Sequence, residues 1–333
     1  MQSIVADPTL AHVATEWEHT SPFVSCRFDP LGRYVFAGAE DMTVQRFALA
    51  DGAKVAFSGH ESWVRALAFT DAGETLITGG YEGRLIWWPA AAAEPKPIRT
   101  VEAHVGWLRA LVASPDGKVL ASCGNDAKVR LWNAADGTLV QEFAGHERPV
   151  WTVEFHSSGQ YLLSGDLMGV VQQWEIASGK LMRTFDAKDL HSFNGGQQVD
   201  FGGVRTIDFS PDNKYVACGG LHKAENPLGA VHDPIGLVFD WETGAAAHRY
   251  EPADIKGSAW RIQYHRDGYA IMTSGGSTGG QLLFFKNAEA KEFHRFALPA
   301  LARDGDLHSD GIQIATAHSD KKVRITKLTA KAI

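Results

Sequence analysis

The chain has 333 residues, 44% of them hydrophobic, with 34 glycines against 13 prolines, a composition that is globular and turn-rich and excludes a disordered chain. A formal net charge of −7 and a pI near 6.0 argue against a general nucleic-acid coat, which needs a basic face. No apolar run is long enough for a membrane-spanning helix.

The first residues, MQSIVADPTLAHVATEW, lack a basic start followed by an apolar core, so no secretory signal is expected. Cys26, Cys123 and Cys218 are odd in number, lie in apolar strand patterns and have no metal spacing. Buried reduced thiols in a cytoplasmic protein are the expectation.

From residue 18 onward one unit recurs, and its cleanest copy is residues 104–132. There two runs of small and β-branched residues are joined by Ser114-Pro115-Asp116-Gly117, a hairpin signature, and a second turn at Gly124-Asn125-Asp126 leads to a third run. A fourth follows Asp136-Gly137. Each copy closes its first strand on an aromatic or apolar residue, with a turn former four positions later and, in most copies, a small or hydroxyl residue nine later. In chain order these are Phe28, Gly32 and Ala37; Phe69, Gly73 and Thr78; Ala113, Gly117 and Ser122; Phe155, Gly159 and Ser164; Phe209, Asn213 and Cys218; Tyr264, Gly268 and Thr273; and Leu307, Gly311 and Thr316. Glycine and asparagine at one shared position require a turn with positive φ. Spacings of 41, 44, 42, 54, 55 and 43 residues, each holding four strands, give a seven-bladed, all-β propeller in one domain.

The blades are expected at residues 18–58, 59–102, 103–144, 145–186, 203–251, 258–297 and 301–328. The last has three strands only, and residues 10–17 have no other home, so the N-terminal segment is expected to complete it and remove the open edge. The two long spacings come from insertions at residues 186–203 and 221–236, expected to stand beside the channel mouth.

A second register agrees: His19 to Phe47, His60 to Trp88, His104 to Trp132 and His146 to Trp174 are each 28 residues apart. With Gly59-His60 and Gly145-His146 ahead of the unit and Leu131-Trp132-Asn133 after it, the chain resembles the WD40 repeat family, strongly in the first four blades and weakly in the last three. The resemblance implies a hydrogen-bonded set of His, Ser or Thr, Asp and Trp in each blade. Blade three carries it whole as His104, Ser122, Asp126 and Trp132. Blade two has His60, Thr78, Glu82 and Trp88, where the longer Glu82 is expected to reach poorly. Blade four has Met168 in the Asp position, so its network around His146, Ser164 and Trp174 is expected to be broken. Blade one keeps His19 and Asp41, and blade seven Thr316 and Asp320. The set recurs at blade period and no GxSxG surrounds Ser122, so its role is read as structural, not hydrolytic.

The resemblance also implies that partners bind where the His loops emerge. Four residues before the anchors stand Val24, Arg65, Arg109, Trp151, Arg205, Trp260 and Arg303, and two residues further back stand Trp63 and Trp107. Trp and Arg are the residues most enriched at binding hot spots, and four like charges in one ring call for an anionic partner. Trp63, Arg65, Trp107, Arg109, Trp151, Arg205, Trp260 and Arg303 are therefore the candidate contact residues. His191, His222, Glu225, His232 and Asp233 in the insertions match no ligand spacing, so neither a metal nor a cofactor is expected. The reading is a non-catalytic platform for a protein or peptide with an acidic or phosphorylated segment. The alternatives are a nucleic-acid platform, which the acidic total disfavours, and a propeller enzyme with its site at the same mouth.

Overall fold

The structure, a computed structural model, describes residues 5–226 and 231–331. Residues 227–230 of the second insertion and the side chain of Glu225 lie outside the described residues. Among those described, seven four-stranded antiparallel sheets and one short hairpin follow one another along the chain. Blade three is representative: Leu108–Ala113, Val119–Gly124, Val129–Asn133 and Leu139–Phe143 pair in sequence order. At the turn between the first two strands, Gly32, Gly73, Gly117, Gly159, Gly268 and Gly311 adopt φ between 67° and 94°, and Asn213 adopts 57°. One backbone requirement therefore explains the residue type at this position in all seven blades.

The buried apolar side chains form seven clusters, and each spans two neighbouring blades. Phe36 and Phe57 of blade one pack with Leu67, Leu76 and Trp88 of blade two, Trp87 of blade two with Leu111 and Trp132 of blade three, and so on around the ring. The seventh cluster joins Ala315, Val323 and Ile325 of blade seven to Phe23, Val35 and Phe47 of blade one. Each sheet buries its faces against its neighbours, so the ring is stable only when closed.

Closure uses the N-terminal strand His12–Glu18, which pairs antiparallel with Lys322–Lys327 as the outer strand of blade seven, as the missing fourth strand required. Glu16 meets Lys322 and, at 3.2 Å, Arg324, while the Trp17 ring stacks on Phe47 of blade one at 5.2 Å and 11°. The first insertion forms the hairpin His191–Asn194 with Val199–Gly202. The second lengthens the middle strands of blade five to Tyr215–Asn226 and Val231–Asp240, paired as far as His222 with Asp233 and Asn226 with Val231. Cys26, Cys123 and Cys218 are buried and free. No helix among the described residues is long and apolar enough to cross a membrane.

Removing residues 5–18 opens blade seven and leaves the edge of Lys322–Lys327 unpaired. The truncated chain is expected to self-associate in size-exclusion chromatography. Trp17→Ala should stay monomeric and lose about 2 kcal/mol in a denaturant melt.

Candidate functional site

The histidines that open blades two to four end in the same hydrogen-bonded chain. In blade three the Trp132 indole N–H donates to Ser122 Oγ (2.8 Å), Ser122 lies 2.8 Å from His104 Nε2, and His104 Nδ1 lies 2.9 Å from Asp126. The indole can only donate and the carboxylate only accept, which orders the protons: Ser122 donates to Nε2 and the imidazole donates from Nδ1. Burial lowers the pKa of His104, keeping the ring neutral. Burial alone would raise Asp126, but hydrogen bonds from His104 and Arg130 outweigh it and hold the carboxyl well below the usual carboxylate range.

Blade two repeats the chain with Trp88, Thr78 and His60 (2.9 and 2.6 Å), and Glu82 reaches His60 Nδ1 despite its extra methylene. Blade four corrects the expectation of a broken network. Trp174, Ser164 and His146 are joined at 2.8 and 2.7 Å, and Asp166 accepts from His146 Nδ1 at 2.8 Å. Asp166 comes from the end of the strand, two residues before Met168, where the register brings its carboxylate to the same point. Blade one keeps His19 with Asp41 (2.6 Å) and fills the indole position with Phe47. In blade seven His318, from the strand itself, meets Thr316 at 2.7 Å, and Asp320 pairs with Arg324 instead.

The mouth residues owe their aim to a backbone irregularity. In six blades the innermost strand slips register by one residue, between Phe23 and Ser25, Val64 and Ala66, Leu108 and Ala110, Val150 and Thr152, Ala259 and Arg261, and Ala302 and Asp304. The extra residues are Val24, Arg65, Arg109, Trp151, Trp260 and Arg303. A bulged residue is released from the ladder and its side chain is re-aimed, here toward the axis. Arg205 holds the equivalent place just ahead of Thr206–Phe209.

These side chains alternate cation and ring. Arg109 lies 4.5 Å from the Trp107 ring centre and 4.1 Å from that of Trp151; Arg205 lies 4.3 Å from Trp151 and 4.6 Å from Trp260; Arg65 reaches across to Trp260 at 5.8 Å. Tyr81 extends the ladder, stacked on Trp107 at 4.4 Å and 3° and on Trp63 at 6.1 Å. Trp63 and Trp107 remain 41% and 45% exposed. Tyr81 was not among the expected contact residues, because a tyrosine in a turn acquires a stacking role only from the neighbouring blade.

The four arginines separate into two kinds. Arg303 pairs with Glu40, and Arg65 donates to the carbonyls of Val24 and Arg303 with Asp304 at 3.9 Å. Arg109 has only neutral partners, donating from Nε to Asn125 at 2.8 Å. Arg205 makes no side-chain hydrogen bond or ion pair among the described residues, and its Nε, like Trp151 Nε1, is buried without an acceptor. Enclosure, with Arg109 and Arg65 nearby, pulls the Arg205 pKa down to about 9.

Above the ladder, Phe201, Leu221, Ala224 and His232 from the two inserted hairpins face Trp63, Trp260 and Arg205 across a cavity of about 430 Å3. Two histidines of these hairpins are hydrogen-bonded, His191 with Asp200 (2.9 Å) and His232 with Ser258 (3.0 Å), while His222 lies 3.7 Å from Glu251 with its Nε2 without a hydrogen-bond partner among the described residues. Among the described residues no group of His, Cys, Asp and Glu converges as a metal site. Below the mouth, Arg27, Glu154, Asp208, Arg261, Asp304 and Asp306 project from the innermost strands. Enclosure raises Glu154 to about 7 and Asp208 to about 6, while Asp304, bonded to Arg27 at 2.8 Å, is lowered: burial would raise it, but Arg27, Arg65 and Arg261 outweigh that. Alternate polar residues on an otherwise apolar strand were the available signal for this inner set.

The family model of the WD domain, G-beta repeat, matches residues 12–46, 53–89, 95–133, 137–175 and 188–223. The chain is also similar to eukaryotic translation initiation factor 3 subunit I of Aspergillus oryzae, 23% identical over 206 residues, covering 58% of this chain and 53% of the relative's length.

Asp126→Ala removes the charged end of the blade-three chain and should cost about 1.5–3 kcal/mol without changing ligand affinity, measured as a thermal melt beside a binding titration. The Asp126 contribution is present at neutral pH and lost as the pH falls below about 4. Glu154 has the opposite sign. Its folded pKa lies above the unfolded value, so the folded state loses stability as the pH rises from about 4 through 7. Glu154→Gln should therefore stabilise the protein by about 1–3 kcal/mol at pH ~8 and leave it nearly unchanged at pH ~4.

Proposed function

The chain belongs to the WD40 repeat family, whose propellers act as non-catalytic protein-interaction scaffolds, and on that premise we propose that its mouth recognises an acidic or phosphorylated segment of a protein partner. The observation that carries this reading is the pair Arg109 and Arg205, two enclosed guanidiniums sharing the Trp151 ring with no carboxylate partner among the described residues. An unpaired enclosed charge costs several kcal/mol of lost hydration, and cation–π contact returns about 0.5–2 kcal/mol of it. A ligand carboxylate or phosphate supplies the missing counter-charge.

The exposed Trp63, Tyr81 and Trp107 stack provides apolar area beside the charge, and the hairpin wall limits approach to an extended segment. The relative in Aspergillus oryzae is named as a subunit, a protein that works within an assembly, and a platform role for this chain agrees with that setting.

The test is a fluorescence-anisotropy comparison of matched peptides in neutral, glutamate-bearing and phosphorylated forms. The anionic peptides should bind at least about tenfold more tightly, weaken with added salt, and lose binding to Arg109→Glu and to Trp107→Ala. Equal binding of neutral and anionic peptides overturns the reading.

A further inference from the structure

The channel beneath the mouth encloses a cavity of about 420 Å3 whose lining carries five guanidiniums, from Arg27, Arg65, Arg109, Arg205 and Arg261, against two carboxyls, from Glu154 and Asp304. This excess of positive charge sits at the axis of a chain whose total is −7. The two carboxyls do not neutralise it. Asp304 is engaged by Arg27 at 2.8 Å and approached by Arg65 at 3.9 Å. Glu154 accepts the Phe155 N–H at 3.2 Å, and its carboxyl, raised to about 7, opposes the cations only in part at neutral pH.

Three of the five guanidiniums form no ion pair among the described residues. Arg109 donates through Nε to Asn125, a neutral partner, and among the described residues Arg205 and Arg261 make no side-chain hydrogen bond, with Nε of both buried and unpartnered. Arg109 and Arg205 come from blades three and five and close on the same Trp151 ring, at 4.1 and 4.3 Å, so the ring sets the separation of the two forks. Arg261 lies one residue beyond the mouth position in blade six, on the same cavity, where Glu154, Asp208, Asp304 and Asp306 oppose its charge. Below them Asp208 and Asp306 each accept a backbone N–H of the next blade, Tyr264 at 2.6 Å and Phe28 at 2.8 Å. They face Arg261 and Arg27 and offset part of the charge of those two guanidiniums, leaving Arg109 and Arg205 as the uncompensated pair.

We propose that this throat is a binding site for a small oxyanion of the phosphate class, held by the guanidiniums of Arg109 and Arg205 beneath the peptide-facing surface. Planar guanidinium forks match the oxygens of phosphate or sulfate better than a halide, and the tryptophan faces hold the forks without competing for their N–H groups. The inference rests on the same cationic mouth as the peptide reading, but it needs no peptide. An anion seated here neutralises the ring of arginines from within and stabilises the fold in proportion to its occupancy.

The experiment is thermal denaturation of the full chain, with isothermal titration, in pyrophosphate, inorganic phosphate, sulfate, and sodium chloride at matched ionic strength. Pyrophosphate and phosphate should raise the melting temperature and titrate to one site, and chloride should do neither. Arg205→Met removes an enclosed unpaired charge, so it should melt higher than the wild type without added anion and bind pyrophosphate at least about tenfold more weakly. Arg109→Met should weaken binding likewise. Equal stabilisation by chloride, or an Arg205→Met protein that still binds pyrophosphate with wild-type affinity, overturns the proposal. Binding of a phosphopeptide with no response to any inorganic oxyanion also overturns it and leaves the peptide reading standing, whereas oxyanion binding with no preference among peptides does the reverse.

Discussion

A propeller blade cannot bury its own faces, and this constraint governs the rest of the molecule. Every apolar cluster here is shared between two neighbouring blades, including the one that joins Val323 and Ile325 to Phe23 and Phe47. Stability therefore demands a closed ring, and a closed ring brings seven innermost strands around one axis. Residues at equivalent register are forced together whatever their charge. Arg65, Arg109 and Arg205, far apart in sequence, become neighbours because blades two, three and five face one channel.

Like charges so gathered need a physical solution, and the mouth uses two. Arg303 and Arg65 are satisfied within the protein by Glu40, Asp304 and main-chain carbonyls. Arg109 and Arg205 are separated by an indole ring, whose face stabilises a cation without neutralising it. The remainder of their hydration cost has no compensation among the described residues. Under the proposed reading such a site would be stabilised by its ligand and be a source of instability without it, the usual relation between strained polar groups and function.

The hydrogen-bonded chains of blades two to four show how firmly a polar network is specified when each member can act in one way only. An indole donor at one end and a carboxylate at the other order every proton between them. The carboxylate is free to come from Glu82, Asp126 or Asp166, since only the oxygen position matters. Blade one replaces the hydroxyl with Ala37 and the indole with Phe47, and the Trp17 stack on Phe47 takes over the packing there.

The sequence by itself determined the period, the number of blades and the need for a closing strand, because these follow from local turn chemistry. Gly32, Gly117 or Asn213 at a fixed distance from an anchor reports a positive φ that no neighbour is needed to explain. It also identified the column holding Arg65, Arg109, Trp151, Arg205, Trp260 and Arg303. Only the tertiary structure decided how that column is arranged. The bulge that turns these side chains inward, the Tyr81 ring between Trp63 and Trp107, the reach of Asp166 past Met168, and the pairing of Arg303 while Arg205 stays unpaired all depend on atoms from adjacent strands or blades. Charge balance at the axis is a sum over seven strands, and no single repeat contains it.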